Sequence, residues 1–166
     1  MSENSRILSV VVLMLGLALV VSARAGAGAI TPPERLDSVG AVVAPKPDEI
    51  AIVRVMNSVR AANGVPALRI GRTLTRAARA HSVDMARRGY FDHGPFAQRL
   101  RRFGVRAPFI GENLASGTKP LPASAIVRMW IASPPHRQNL LDRDFRLVGV
   151  GVAGGSTRLV TADFAG

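Results

Sequence analysis

Three histidines and one isolated glutamate are the residues whose types could do chemistry together in this chain of 166 residues. His93 ends the run Tyr90-Phe91-Asp92-His93, His136 sits in Ser133-Pro134-Pro135-His136-Arg137, and Glu112 lies between two small or polar neighbours in Gly111-Glu112-Asn113. Two neutral imidazoles and a carboxylate, brought together by the fold, could hold a divalent ion such as zinc and leave a coordination position open. The same groups without metal could polarise a bound molecule. Their separations of 19 and 24 positions carry no motif of their own, and no H-E-x-x-H helix is present. With no cysteine in the sequence, thiolate zinc sites, cysteine nucleophiles and disulfides are excluded. Ser82 and Ser133 are not set in a G-x-S-x-G elbow, which argues against serine hydrolase chemistry.

Each of these residues also has a purely structural reading. His81 falls on the inward face of a helix and is expected to be a buried histidine satisfied by a backbone or carboxylate acceptor. For His93 and His136 a cavity role and structural hydrogen bonding both stand, and Glu112 could ligate a metal or bridge the two histidines. Asn113, Arg137 and Asn139 suit helix ends and turns, and Trp130 suits a core.

The elements that must position these groups can be read from hydrophobic period and punctuation. Residues 1–25 read as a secretory signal peptide: Arg6, the apolar run Ile7 to Val21, then Ala23-Arg24-Ala25. An uncleaved anchor is the alternative, although the run is short for a bilayer span. Residues 26–47, rich in Ala, Gly, Val and Pro, read as a flexible lead-in, and residues 48–166 as one domain. Asp48 is expected to cap a helix over about 49–63, with Ile52, Met56 and Val59 inward. Further helices are expected over about 73–88, 95–103 and 121–132, with a last turn near 136–141. From Leu147 the period changes to two, and Gly154-Gly155 divides a terminal hairpin. Helices followed by paired strands, without repeated βαβ units, predict an α+β fold with a small antiparallel sheet packed by helices.

Lysine and arginine number 22 against 11 acids, a formal charge of +11, with Lys46 and Lys119 the only lysines. Such a balance favours anionic partners. In an exported protein these are a lipid surface or a cell-envelope polymer, and nucleic acid is not expected. Arg99, Arg101, Arg102 and Arg106 form the densest basic stretch, read either as an attachment surface or as a solvated helix face. Base-composition bias would explain the arginines equally well.

Taken together and in order, several segments resemble the bacterial branch of the CAP superfamily, also called the SCP-like or antigen-five-like domain. They are Met56-Asn57-Ser58-Val59-Arg60, His81-Ser82 with Asp84-Met85-Ala86, Tyr90-Phe91-Asp92-His93, Gly111-Glu112-Asn113, Trp130, Ser133 to Asn139, and Val148-Gly149-Val150-Gly151. The resemblance implies an α-β-α sandwich, export to the extracellular space, periplasm or envelope, and a central cavity lined by histidines and acids. His93, Glu112 and His136 match three members of the family's cavity tetrad, while its second glutamate has no match. That resemblance, together with the lack of an assembled nucleophile or base, leads to the expectation of a non-enzymatic module for a small apolar or envelope ligand or a protein partner, and a monomer is expected. The rival is a metal-dependent hydrolase using His93 and His136 as zinc ligands and Glu112 as ligand or general base. That rival is short of a group: Glu112 cannot be both the third ligand and the base.

Overall fold

The computed structural model describes residues 44–166. The expected signal peptide over 1–25, and all of the expected lead-in up to residue 43, lie outside the described residues.

Helix α1, Pro47–Ala62, opens on a proline whose missing N–H costs nothing at a first helical position. Asp48 is therefore inside the helix rather than its cap, and Glu49 accepts the Lys46 backbone N–H at 2.8 Å. Ile52, Val53 and Met56 face inward at helical spacing. So does Arg60, whose guanidinium donates to four carbonyls: Pro66 at 2.7 Å, Leu140 at 2.8 Å, Asp142 at 3.0 Å and Phe145 at 3.1 Å. That side chain fastens the first helix to a segment some eighty residues later.

A two-residue strand, β1 (Arg69–Ile70), leads into α2, Arg72–Arg88, which Gly89 stops in a left-handed conformation at φ 68°. The short α3, Phe96–Arg102, follows, and then β2, Ile110–Thr118. Helix α4, Ala123–Ala132, turns Ile126, Val127 and Trp130 inward. Helix α5, Pro134–Leu141, begins at the proline pair rather than at His136, again because proline suits the first turn. Strands β3, Leu147–Ala153, and β4, Thr157–Ala165, are the expected terminal hairpin.

The sheet runs β1-β3-β4-β2, with β1 parallel to β3 and the other pairs antiparallel. It is thus mixed at one edge, where only antiparallel pairing was expected. Strand β2 was not anticipated at all. Residues Gly111 to Ala115 are buried on both faces, so the polar-apolar alternation that marks a half-exposed strand is missing.

The two faces of the sheet are packed differently. On one, Ile52, Met56, Ile126, Trp130 and Leu140 form a single apolar core with Val148, Val150, Val160, Ala162 and Phe164. The Trp130 indole N–H donates to the Leu114 carbonyl at 2.8 Å, so even this large side chain leaves no polar group unpaired. On the other, α2 lies directly on β3 through glycines: a Cβ on Gly149 would stand 2.0 Å from the Leu74 carbonyl carbon, and one on Gly151 2.3 Å from that of Ala78. The sequence Val148-Gly149-Val150-Gly151 thus gives valines to one layer and bare backbone to the other. Helices on both faces of the sheet make the α-β-α sandwich.

Because the atoms opposing Gly149 and Gly151 are backbone and cannot rotate away, Gly151→Ala should cost about 3 kcal/mol or more of stability, the upper part of the overpacking range. Gly155→Ala, where nothing lies within 4 Å, should be close to neutral. Denaturant midpoints measured side by side check this, and equal midpoints would refute the close packing of α2.

Candidate functional site: a buried carboxyl pair on the sheet

Antiparallel pairing of β2 with β4 sets Glu112 opposite Asp163. Residues directly opposite share a face, and here it is the face that carries α2 and α3, since Leu114 beside Glu112 packs with Met85, and Ala165 beside Asp163 packs with Leu74, Phe96 and Leu100. Both carboxyls are removed from water, at 2% exposure for Glu112 and 0% for Asp163. Two carboxylates so placed need compensation.

It comes first from Arg99, on α3. One of its terminal nitrogens, Nη2, donates to Glu112 Oε2 and stands 3.8 Å from Asp163 Oδ1; the other, Nη1, donates to the His93 carbonyl at 3.1 Å. The second partner is His93, whose Nδ1 lies 2.7 Å from Glu112 Oε1. With Nδ1–H donating to the carboxylate, Nε2 is left as the outer nitrogen of the ring. Asp92 shapes the approach by accepting the Gly94 N–H at 2.6 Å, a side-chain turn that the φ of 54° at Gly94 completes.

The third partner is the second carboxyl. Neither oxygen of Asp163 finds an N–H or hydroxyl donor among the described residues, so an ionised Asp163 would be left uncompensated. Burial, and then the charge of Glu112, hold it well above the carboxylate range. Glu112 itself is pushed up to about 7 by burial, against the opposing pull of Arg99 and of the hydrogen bond with Asp163. The consistent reading is a protonated Asp163 beside Glu112, with Arg99 matching the one remaining negative charge.

His136 joins the site indirectly. Asn113 Nδ2 donates to its carbonyl at 2.9 Å, and Asn139 Nδ2 donates to Glu112 O at 3.2 Å and Asn113 Oδ1 at 3.0 Å. The two asparagines therefore lock α5 onto β2 instead of capping helices. Gly111 allows the fit, because a Cβ there would stand 2.9 Å from the Phe145 ring and 3.1 Å from Asn139 Oδ1. The half-buried His136 ring is held below its usual value by burial and then by the neighbouring His93.

Of the expected site residues, His93 and Glu112 are in contact and His136 is tied to the adjacent strand position. Among the described residues no three histidine, aspartate or glutamate side chains are grouped as ligands, and both oxygens of Glu112 already face donors, one of them a guanidinium that repels a second cation. His81 is the satisfied buried histidine anticipated: Nε2 donates to Asp92 O at 2.9 Å, and burial lowers its pKa to about 4, so it is neutral at pH 7. Ser82 is fully buried and donates to Gly151 O at 3.0 Å or Thr161 Oγ1 at 2.9 Å, which leaves no nucleophile there.

Sequence reasoning missed two of the groups that define the site. Asp163 had a signal, an acid inside the apolar run Val160-Thr161-Ala162-Asp163-Phe164. Arg99 had none, since it stands among the arginines read as one basic stretch. Its side chain is only 15% exposed and engaged with Glu112, so it does not belong to a solvated face, unlike the exposed Arg101, Arg102 and Arg106.

Comparison with known proteins adds the following. The family model for CAP, the cysteine-rich secretory protein family, matches residues 53–164. The chain is 37% identical over 109 residues to the uncharacterized protein YkwD of Bacillus subtilis, covering 62% of this chain and 41% of that protein. It is 33% identical over 109 residues to the uncharacterized membrane protein YlbC of the same organism, covering 63% and 31%. The chain thus spans less than half the length of these curated relatives. An extracellular protein of Bacillus anthracis that contains an SCP domain superposes with a TM-score of 0.65 at 30% identity, over 71% of this chain and 40% of that one. An outer surface protein of Borrelia burgdorferi superposes with a TM-score of 0.67 at 20% identity, over 76% and 98%, and speaks for the fold alone.

The carboxyl pair fixes the sign of a pH effect. Between the ordinary carboxyl values of 3.8 and 4.5 and their raised values in the folded protein, the native state holds protons that the unfolded chain has released, so stability falls as pH rises. The lowered values of His81 and His136 act oppositely, but only below their ordinary 6.5. Above pH 6.5 the carboxyl contribution is therefore isolated. Asp163→Asn, which keeps a donor toward Glu112 without a titrating group, should lose less thermal stability than the wild type between pH 6.5 and about 8.5. Parallel Tm curves over that window would mean that Asp163 carries no excess proton.

Proposed function

The chain belongs to the cysteine-rich secretory protein, or CAP, family, and from that premise we propose that it is an exported, monomeric, non-enzymatic binding module of the cell envelope or extracellular space. The observation that carries this reading is the occupation of Glu112. Each oxygen of this carboxyl already accepts a hydrogen bond, one from His93 and one from the Arg99 guanidinium, so the group is held in a structural network rather than presented as an unpartnered base. Such a buried network stiffens the segments that carry it. The loop from Gly89 to Pro95, α3 and the start of β2 become one rigid frame.

What that frame presents outward supports an apolar or amphipathic ligand. Phe91 and Phe109 are 42% and 45% exposed, and they lie two and three positions before His93 and Glu112. Large exposed rings on segments held by a buried network are anchors of the kind binding surfaces use. Export is supported by the extracellular SCP-domain protein of Bacillus anthracis that this chain resembles at 30% identity. Among the described residues no helix is long and apolar enough to cross a membrane. Residues 48–166 are proposed as the working domain and residues 26–47 as its tether.

Two measurements test the proposal together. Cosedimentation with lipid vesicles and with purified envelope fractions should show saturable binding that Phe91→Ser and Phe109→Ser each weaken about tenfold, as expected for losing part of a buried aromatic contact. Calorimetric titration with zinc should show no stoichiometric uptake. Zinc bound one to one, and lost in both His93→Ala and His136→Ala, would overturn the reading and restore the metal-dependent hydrolase.

A further inference from the structure

Between α2 and α3, on the outer side of Arg99, the surface opens into a cavity of about 380 Å³. That is within the size range of small-molecule sites, and its lining contains neither His93 nor His136. Three arginines, Arg88, Arg99 and Arg102, contribute to its walls, against one acid, Asp84. The acid is already in use, accepting the Tyr90 hydroxyl at 2.5 Å and Arg88 Nη1 at 3.2 Å. Arg99 is matched from behind by Glu112. The Arg102 side chain has no ion pair or hydrogen bond among the described residues, so its charge is uncompensated. His81 also lines the cavity but is neutral at pH 7 and adds nothing to the balance.

Two aromatic rings complete the walls and are themselves held in place. The Arg88 guanidinium lies over Tyr90 at 5.3 Å from the ring centre, and Arg76 over Phe103 at 5.8 Å. A partly enclosed cavity with excess positive charge concentrates anions, guanidinium forks recognise planar or tetrahedral oxyanions, and flat apolar walls favour a ring. We propose that this cavity is a binding site for a small organic oxyanion, a phosphate monoester or carboxylate carried on a ring. It shares Arg99 with the buried carboxyl cluster, and its excess charge is that of Arg102.

The test is a titration of the full chain with phenyl phosphate, benzoate, inorganic phosphate and benzyl alcohol, followed by calorimetry at low salt. Phenyl phosphate or benzoate should bind one to one, and the tighter of the two identifies the oxyanion. Arg102→Gln should weaken that binding about tenfold, as for one charge-assisted contact. Arg101→Gln removes the same charge from the same helix outside the cavity and should leave it unchanged. Equal losses in the two variants would reduce the effect to general attraction by a basic chain and overturn the proposal. So would benzyl alcohol binding as tightly as the anions, inorganic phosphate matching phenyl phosphate, or no binding by any probe.

Discussion

The burial of the Glu112 carboxyl is the constraint from which the local structure follows. An ionised carboxylate inside a sheet carries a desolvation cost of several kcal/mol, recovered only when charge and hydrogen bonds around it are complete. Arg99 and His93 donate to its two oxygens, and Asp163, its carboxyl pushed up by burial, adds no second full charge. Each of these imposes a requirement on the chain. Helix α3, seven residues long, places Arg99 over the sheet while Phe96 and Leu100 anchor it to Leu74 and Ala165. The turn at Asp92 and Gly94 aims His93, and His81 holds that turn from below through the Asp92 carbonyl. A segment that looks like an irregular loop is therefore determined residue by residue.

Arg60 solves the mirror-image problem with a different currency of contacts. It is fully buried and makes no salt bridge among the described residues, and its charge is spread over four backbone carbonyls, two of them at the C-terminal end of α5. Helix C-termini carry partial negative charge, so a cation there is favoured. In a family named for its cysteines this chain has none. Its long-range fastenings are polar: Arg60 from α1 to the end of α5, Asn139 and Asn113 from α5 to β2, Ser82 from α2 to β3 and β4. Removing one partner from such a fastening leaves a buried group unsatisfied, which costs more than the bond itself contributes.

What the sequence disclosed and what it hid divide along physical lines. Four of the five helices were legible because apolar residues recur at 3.6-residue spacing and glycine or proline marks most of their boundaries; α5 was expected only as a turn, and it and α1 start earlier because proline begins a helix as readily as it ends one. The terminal hairpin showed its period of two. Strand β2 showed no period, since both of its faces are covered. The candidate site was half visible: His93, Glu112 and His136 stood out as rare residue types, and His81 was correctly placed in the interior. Asp163 and Arg99 become site residues only through pairing, one by the register of β2 with β4 and the other by the landing point of α3. Neither register nor landing point is written in local sequence.

The division of labour between the two faces of the sheet explains why this scaffold can afford so polar a site. Alternation along β3 and β4 sends Val148, Val150, Val160, Ala162 and Phe164 to the face covered by α1, α4 and α5, where they join one apolar core. The intervening positions, Gly149, Gly151, Thr161 and Asp163, go to the other face. There the glycines let α2 sit on the backbone itself, and close approach substitutes dispersion contact for side-chain volume. Because α2 lies so low over β3, the thicker side chains Glu112 and Asp163 at the β2–β4 side fall beneath α3 and its arginine instead. Stability is concentrated on one face, and the other is free to hold buried charges and to open, between α2 and α3, into a basic cavity.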